Sequence, residues 1–435
     1  MKIKEIFKQP ILYILIICIA VQAAMYTVWK EYGVTNDTSS YIDSYQGNSF
    51  FKGHVDENRT PIYPYFIKIV KKIGGEENLK ENIVFMQKIL FLMSVCIFYY
   101  ALKTITKNKI LLTIATLIFG ITPALVSWNT MLLTESLAIF ETVLLVFFTL
   151  QYLKKESKIS AIFIHAIILI MFLTRPAFIY LLPIYFLFWM IRFFTNQQER
   201  KSIIAAFISM AIVVVVLMGY CFLVKMNYGH FGLTAVSNVN SEVTAITSGS
   251  YLHSKNEALK NRTYELVGEK PSEDKVWNVL WTLQKEYPSE ELADFAKETL
   301  YRNKEYYKYL FNKVIVLSNM NIGTVYANNS PQYQNQNFKI YDLGLMGNMI
   351  LPINFGMIYF LLLGTIVYLI YYLIKYRKID WILAFCTILI LANLFTAVVG
   401  APFETQRLFV VAIILVIVEI TYIVDNIVKN RKNEK

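Results

Sequence analysis

Charge is scarce in this chain, and what there is stays confined to a few places. Asp, Glu, Lys and Arg make up 17% of its 435 residues, against about a quarter in a soluble domain. Hydrophobic residues reach 56% and gather in long runs, which excludes an ordinary water-soluble globule. Cysteine is scarcer still. Cys18, Cys96, Cys221 and Cys386 all lie inside apolar runs, so no disulfide framework braces the polar segments and no Cys/His spacing marks a zinc site. A GxxxxGK[ST] sequence is missing, which excludes a P-loop ATPase. The net charge of +11 could suggest nucleic acid, but the basic residues sit at the ends of apolar runs. That distribution is a matter of membrane topology, and no nucleic-acid partner is expected.

About ten apolar stretches are long enough to cross a bilayer core of about 30 Å as helices. They lie near 11–28, 83–102, 110–128, 131–153, 159–173, 177–193, 203–224, 349–374, 381–399 and 408–428. The expected fold class is therefore an all-α polytopic membrane protein. The first run follows Lys2, Lys4 and Lys8 and is long enough to be a retained span instead of a cleaved signal peptide. Short connections rich in Lys and Arg belong on the cytoplasmic side. Lys103, Lys107 and Lys109 mark one, Lys154, Lys155 and Lys158 another, and Lys375, Arg377 and Lys378 a third. Both termini are then expected in the cytoplasm, with the protein in the plasma (inner) membrane.

This topology puts two sizeable polar segments outside. The first outer loop, 30–82, belongs to an N-terminal membrane module over 1–224 and should carry interfacial helices, including an amphipathic run over 65–73. The second, 225–347, reads as a small helical extracytoplasmic unit, followed by C-terminal membrane helices over 348–435. Pro271-Ser272-Glu273-Asp274 and Pro288-Ser289-Glu290-Glu291 both look like helix starts, with acids in the first turn. No cytoplasmic segment is large enough for a catalytic domain. Any chemistry must use the outer loops and the outer helix ends, where nucleotide sugars are not available, so an activated donor would have to arrive on a lipid.

Several polar residues stand out against this background. Asp37 lies early in the first loop, where an Asp beside Asn36 and Thr38 can equally be a turn or cap residue. Arg59-Thr60-Pro61-Ile62-Tyr63-Pro64 is stiff, because two prolines fix φ and restrict the residues before them. His54 is a titratable loop residue. Glu135 falls about one turn inside the outer end of the fourth span, where an acid is costly unless it is functional or reaches the interface. Arg175, before Pro176, marks an outer turn. Glu404 and Arg407 cap the outer end of the last span, where they could also pair with each other. Glu141 and His165 read as helix-packing contacts. Two acids and three arginines thus converge on one membrane face, the combination that transfer from a polyprenyl phosphate requires. A carboxylate takes the proton of an attacking hydroxyl, and arginines neutralise the departing phosphate with bidentate geometry.

These residues, in this order, resemble the membrane glycosyltransferases of the GT-C fold, close to the protein O-mannosyltransferase and lipid A aminoarabinose transferase branch. The likeness runs through roughly the first 200 residues. It comprises Asn36-Asp37, Gly53, the Arg59 to Pro64 segment, Pro123, Thr134-Glu135 and Arg175-Pro176, and more loosely Glu404 with Arg407. The resemblance implies about ten spans, a polyprenyl-phosphate sugar as donor, and a glycan, lipid or protein acceptor. It makes Asp37 the base of an inverting transfer, with Glu135 as its partner in positioning the acceptor. Arg59, Arg175 and Arg407 would meet the phosphate, while Tyr63, His54 and Glu404 would shape the site. Many members have an Asp-Glu pair in the first loop, whereas Asp37 is followed by Thr38; a divalent cation, Mg or Mn, would have Asp37 and Glu135 as its ligands. Two other classes fit the same architecture. An O-antigen-type polymerase or ligase shares the large outer loop and arginines but lacks an acid after the first span. A lipid-linked sugar flippase or transporter requires inverted repeats and mid-membrane charges, and the chain shows no symmetric halves.

Overall fold

A chain segment inside lipid must satisfy its own backbone N–H and C=O groups, and the α-helix does so without a partner. A computed structural model of the protein describes residues 9–28, 33–47, 55–268, 273–301, 303–319, 354–403 and 405–433. Among them the only pairing of extended backbone is an isolated bridge between Gly33 and Met131. The N-terminal part comprises α1 (Pro10–Val28), α2 (Asn36–Gly47), α3 (Ile62–Gly74), α4 (Leu79–Ile105), α5 (Lys109–Ile121), α6 (Glu135–Lys155), α7 (Lys158–Thr174), α8 (Leu181–Thr195) and α9 (Arg200–Tyr228). Five helices follow: α10 (Val236–Thr247), α11 (Glu257–Val267), α12 (Glu273–Glu286), α13 (Ser289–Leu300) and α14 (Lys304–Asn319). The chain ends in α15 (Phe355–Tyr376), α16 (Trp381–Gly400), the short α17 (Thr405–Phe409) and α18 (Ala412–Asn433).

The protein is a multi-pass membrane protein. Among the described residues six helices are long and apolar enough to cross, or seven if a bent pair is one span, which confirms part of the expected ten. The bent pair is the expected third span. Pro123 cannot continue the hydrogen-bond ladder and drives Thr122 to an extended conformation (ψ 116°), so the helix breaks there with a 50° bend. The chain then forms a buried turn, Ser127–Thr130, and re-enters a helix only at Glu135, four residues later than the apolar run begins. Helices α1 and α7 are apolar but shorter than the other crossings. The last helix carries two acids, each with one oxygen held from elsewhere in the bundle: Glu419 accepts from Thr365 Oγ1 at 2.5 Å and Asp425 from Thr106 Oγ1 at 2.6 Å.

The N-terminal helices form a continuous packed layer in which α6 lies between α4 and α7, and α7 also packs on α9. Glu141 and His165 serve this packing. Glu141 accepts from Thr174 Oγ1 at 2.6 Å, and His165 lies between Trp189 and Ser209, at 3.1 and 2.8 Å. The first polar segment carries two helices, α2 and α3, where the sequence led to interfacial helices including the run over 65–73. Helix α3 buries Tyr63, Ile67 and Val70 and exposes Ile69 and Ile73, an amphipathic face for the interface. Helices α10 to α13 enclose a separate small core that includes Val243, Leu259, Val276, Leu280, Leu292 and Phe295. Helix α12 starts at Glu273 and α13 at Ser289, close to where the two acidic helix starts were expected.

Helices α1 and α5 approach so closely that a Cβ on Gly120 would collide with the Sγ of Cys18, which is itself fully buried. Gly120→Ala should therefore lower stability by about 1–3 kcal/mol through overpacking. Cys18→Ala should recover part of that loss in the double variant. Melting temperatures of the four proteins in detergent check this; a Gly120→Ala protein as stable as wild type would show that the two helices are not in close contact.

Candidate functional site

Three anchors bring the first polar segment against the start of α6. The Gly33 N–H donates to Thr130 O at 2.8 Å, and Gly33 O accepts from the Leu132 N–H at 3.0 Å. Thr38 adds its hydroxyl to Leu132 O at 3.2 Å. From α4, the Gln87 amide donates to Asn129 O and Met131 O at 3.2 and 2.8 Å and accepts from Tyr63 OH at 2.9 Å. Each anchor satisfies backbone carbonyls of the turn that precedes Glu135, groups that cannot be left unpaired in an interior. Thr60 ties the Arg59 strand to the end of α7 through Thr174 O at 3.0 Å.

The result is an alternating row of charges assembled from four parts of the chain. Arg59 reaches Asp37 Oδ1 at 2.7 Å, and Arg407 reaches Asp37 Oδ2 at 2.8 Å. Arg407 also donates from Nε to Glu135 Oε1, the same oxygen that Arg175 meets at 3.1 Å. The second oxygen of Glu135 is buried without a hydrogen-bond partner. Among the described residues, three guanidiniums against two carboxylates leave one positive charge over. The two acids and three arginines that the sequence assigned to one membrane face meet here.

Their surroundings differ. Glu135 is 0% exposed, whereas the side chain of Asp37 is 35% exposed. Each acid sits where a helix start favours it: Asp37 is in the first turn of α2 and Glu135 is the first residue of α6. This corrects the sequence expectation for Glu135, which opens its helix instead of lying a turn inside it. Arg175 is in extended backbone (φ −148°, ψ 119°) directly before Pro176, so the helix ends there and the side chain leaves from its tip. Burial by itself raises the carboxyl of Asp37, but the guanidiniums of Arg407 and Arg59 outweigh it and hold the group well below the usual carboxylate range. It stays ionised throughout neutral conditions, and its contribution to stability is lost only in acid, as the pH falls toward that depressed value.

Of the shaping residues, Tyr63 is fully buried beneath Tyr41, ring centroids 5.0 Å apart. Tyr41 in turn lies under the Arg59 guanidinium at 4.3 Å. Tyr63 thus acts on the charged row through its neighbour. His54 and Glu404 lie outside the described residues. Sequence reasoning missed Ser40, which accepts from Arg59 Nε at 2.7 Å, and Gln87. The signal for Gln87 was an uncharged amide beside a lysine in an otherwise apolar run. Among the described residues no group of three or more His, Cys, Asp or Glu could hold a metal ion. Arg407 already bridges the two carboxylates that the sequence offered as metal ligands, so they do not fit a shared divalent cation.

Removing one partner of a buried ion pair strands the other, at a cost of about 3–5 kcal/mol. Glu135→Ala takes the carboxylate from Arg175 and one of the two carboxylate partners from Arg407, and should destabilise the protein by about that amount. Asp37→Asn, at a partly exposed position, should cost no more than about 1 kcal/mol. Thermal unfolding in detergent checks the order; equal losses would mean that the row has no buried end.

Known proteins resemble the chain in sequence over one segment and in fold along nearly its whole length. Residues 58–236 match the dolichyl-phosphate-mannose-protein mannosyltransferase family. No curated protein matches in sequence. Among solved structures, the oligosaccharyltransferase of Archaeoglobus fulgidus in its apo form aligns with 98% of this chain and 52% of its own, with a TM-score of 0.50 and 14% identity. The same archaeal enzyme in complex with an inhibitory peptide and a dolichol-phosphate gives a TM-score of 0.48 at 14% identity, over 98% of this chain and 52% of its own. Its complex with Zn and sulfate gives 0.48 at 13%, over 94% and 48%. The chain therefore spans about half the length of the solved chains it matches. The chain thus shares its fold with that oligosaccharyltransferase, and residues 58–236 resemble the dolichyl-phosphate-mannose-protein mannosyltransferase family.

Proposed function

We propose that the protein is a membrane glycosyltransferase that moves a sugar from a polyprenyl-phosphate carrier to an acceptor hydroxyl on the extracytoplasmic face. The observation that carries this reading is the row Arg59–Asp37–Arg407–Glu135–Arg175, with its surplus positive charge and its exposed end at Asp37. A soluble donor would call for a cytoplasmic domain, and the basic connections argue that the charged end of the bundle faces the other way. The mannosyltransferase family match over 58–236 supports a lipid-phosphate donor. The acceptor is a glycan, lipid or protein of the cell envelope.

In this reading the acceptor hydroxyl gives its proton to Asp37 as its oxygen attacks the anomeric carbon. The bond from that carbon to the phosphate oxygen breaks on the opposite face, so the configuration inverts. The polyprenyl phosphate leaves with one more negative charge than it brought, and Arg59, Arg175 and Arg407 stabilise that gain. Glu135 holds Arg175 and Arg407 in place and orders the acceptor side. A carboxylate clamped between two guanidiniums is a weak base. A donor phosphate that draws Arg407 or Arg59 toward itself relaxes the clamp, so Asp37 becomes basic only once the donor is bound.

Sugar release from radiolabelled polyprenyl-phosphate sugars in membranes tests the assignment. Asp37→Asn should lose about 10²–10⁴-fold in turnover while keeping its melting temperature, and surviving turnover would take Asp37 out of the mechanism. Arg→Lys at positions 59, 175 and 407 should each weaken donor use, because lysine cannot offer the bidentate fork; full activity in all three sinks the phosphate assignment. The acid limb of kcat, measured at saturating donor, should lie at higher pH than that of kcat/KM for the donor. Coincident limbs would mean that donor binding leaves Asp37 clamped.

A further inference from the structure

The segment that delivers Arg407 to the site is held from above by the α10–α14 unit. Helix α16 ends at Gly400, and the last carbonyls of a helix have no partner within it. Here four consecutive or near-consecutive carbonyls are taken by three side chains of that unit. Lys313 Nζ donates to Val398 O and Ala401 O. Asn240 Nδ2 donates to Gly400 O at 3.0 Å, and Tyr309 OH donates to Pro402 O. Phe403 then packs into the core of the unit, its ring 6.5 Å from that of Trp277. Two residues beyond the start of α17 comes Arg407, and on its far side Asn393 Nδ2 holds Leu408 O at 3.3 Å.

Each element of this clamp has a physical reason to be stiff. Pro402 fixes its own φ and restricts the residue before it. An ammonium at a helix C-terminus meets both the orphan carbonyls and the negative end of the dipole. Lys313 gives up much of its hydration to do this: burial brings it down from its usual value to about 8, a cost that a lysine reaching solvent avoids. Helix α14 is itself seated firmly. Tyr359 OH donates to Val314 O at 3.3 Å, and a Cβ on Gly356 would come within 3.0 Å of Ser318 O.

We infer that Lys313, Tyr309 and Asn240 are positioning residues for Arg407: through the carbonyls of 398–402 they set where its guanidinium stands relative to Asp37 and Glu135. The inference rests on the proposed role of Arg407 in holding the donor phosphate. Its consequence is that the α10–α14 unit controls the phosphate side of the site.

The test is binding of a short-chain polyprenyl phosphate to the full-length protein in detergent, with melting temperatures recorded alongside. Lys313→Met should weaken binding about tenfold, since a displacement of about 1 Å at a charged contact is enough to cost that much. Lys313→Arg should restore most of the affinity. Tyr309→Phe, which deletes only a hydroxyl, should weaken binding in the same direction without a loss of folding. The decisive comparison is made in an Arg407→Ala background, where Lys313→Met should add less than a twofold effect. Residues that act through one another are not additive. Additive losses, or wild-type affinity in both Lys313→Met and Tyr309→Phe while Arg407→Ala binds poorly, overturn the positioning role. Wild-type affinity in Arg407→Ala overturns instead the phosphate assignment on which it rests.

Discussion

The site depends on one buried carboxylate. Glu135 is fully enclosed, and a single one of its oxygens is shared by Arg407 and Arg175. Taking such ions out of water costs several kcal/mol each, and only close pairing with opposite charge makes the arrangement tolerable. The local fold supplies part of the compensation. Because Pro123 breaks the third apolar run, the chain doubles into a buried turn and α6 begins late, with Glu135 at its first position. There the unpaired N–H groups and the positive end of the helix favour a negative charge. With the acid fixed, the two arginines have one place to go, and Arg407 in turn fixes one oxygen of Asp37.

The row of charges also has a direction. Exposure rises from Glu135 at one end to Asp37 at the other, and the arginines beyond each acid follow the same gradient: Arg59 is more open than Arg175 or Arg407. Coulomb interactions are strongest where water is least, so the Glu135 end is rigid and the Asp37 end is where an incoming anion can compete. A phosphate entering from the Asp37 side would meet guanidiniums already aimed by the buried end. Such preorganised charge needs little rearrangement as negative charge develops on the leaving oxygen.

Much of this was legible in the sequence for one reason. In a chain that is mostly apolar, a charge inside or beside a hydrophobic run stands out, and Asp37, Glu135, Arg175 and Arg407 could each be marked on that ground alone. Arg59 was visible through its stiff Pro-flanked segment. The helical character of 36–47 was hidden, because Asn-Asp-Thr-Ser-Ser reads as turn chemistry and the segment lacks an apolar stripe; it is helical because Tyr41 and Tyr45 are buried against the rest of the fold. Gln87 was hidden for a different reason. Its role is set by carbonyls of residues 129 and 131, and no local pattern announces a contact across more than forty positions. The break at Pro123 was hidden inside the third apolar run, where composition said membrane and the proline said turn.

Four of the five charged residues of the site stand at helix ends, and this explains how short elements can aim long side chains. Asp37 and Glu135 lie at helix starts, Arg175 directly follows the last residue of α7, and Arg407 is in the last turn of α17. Each sign matches the end it occupies, so dipole and side chain pull together. The two arginines that share Glu135 are placed by independent devices, a proline after Arg175 and a set of side chains on the carbonyls before Arg407. Proline is a fixed covalent constraint. The carbonyl contacts come from the α10–α14 helices. Of the two arms on Glu135, the one through Arg407 is therefore the arm tied to that unit, and it is also the arm that touches Asp37.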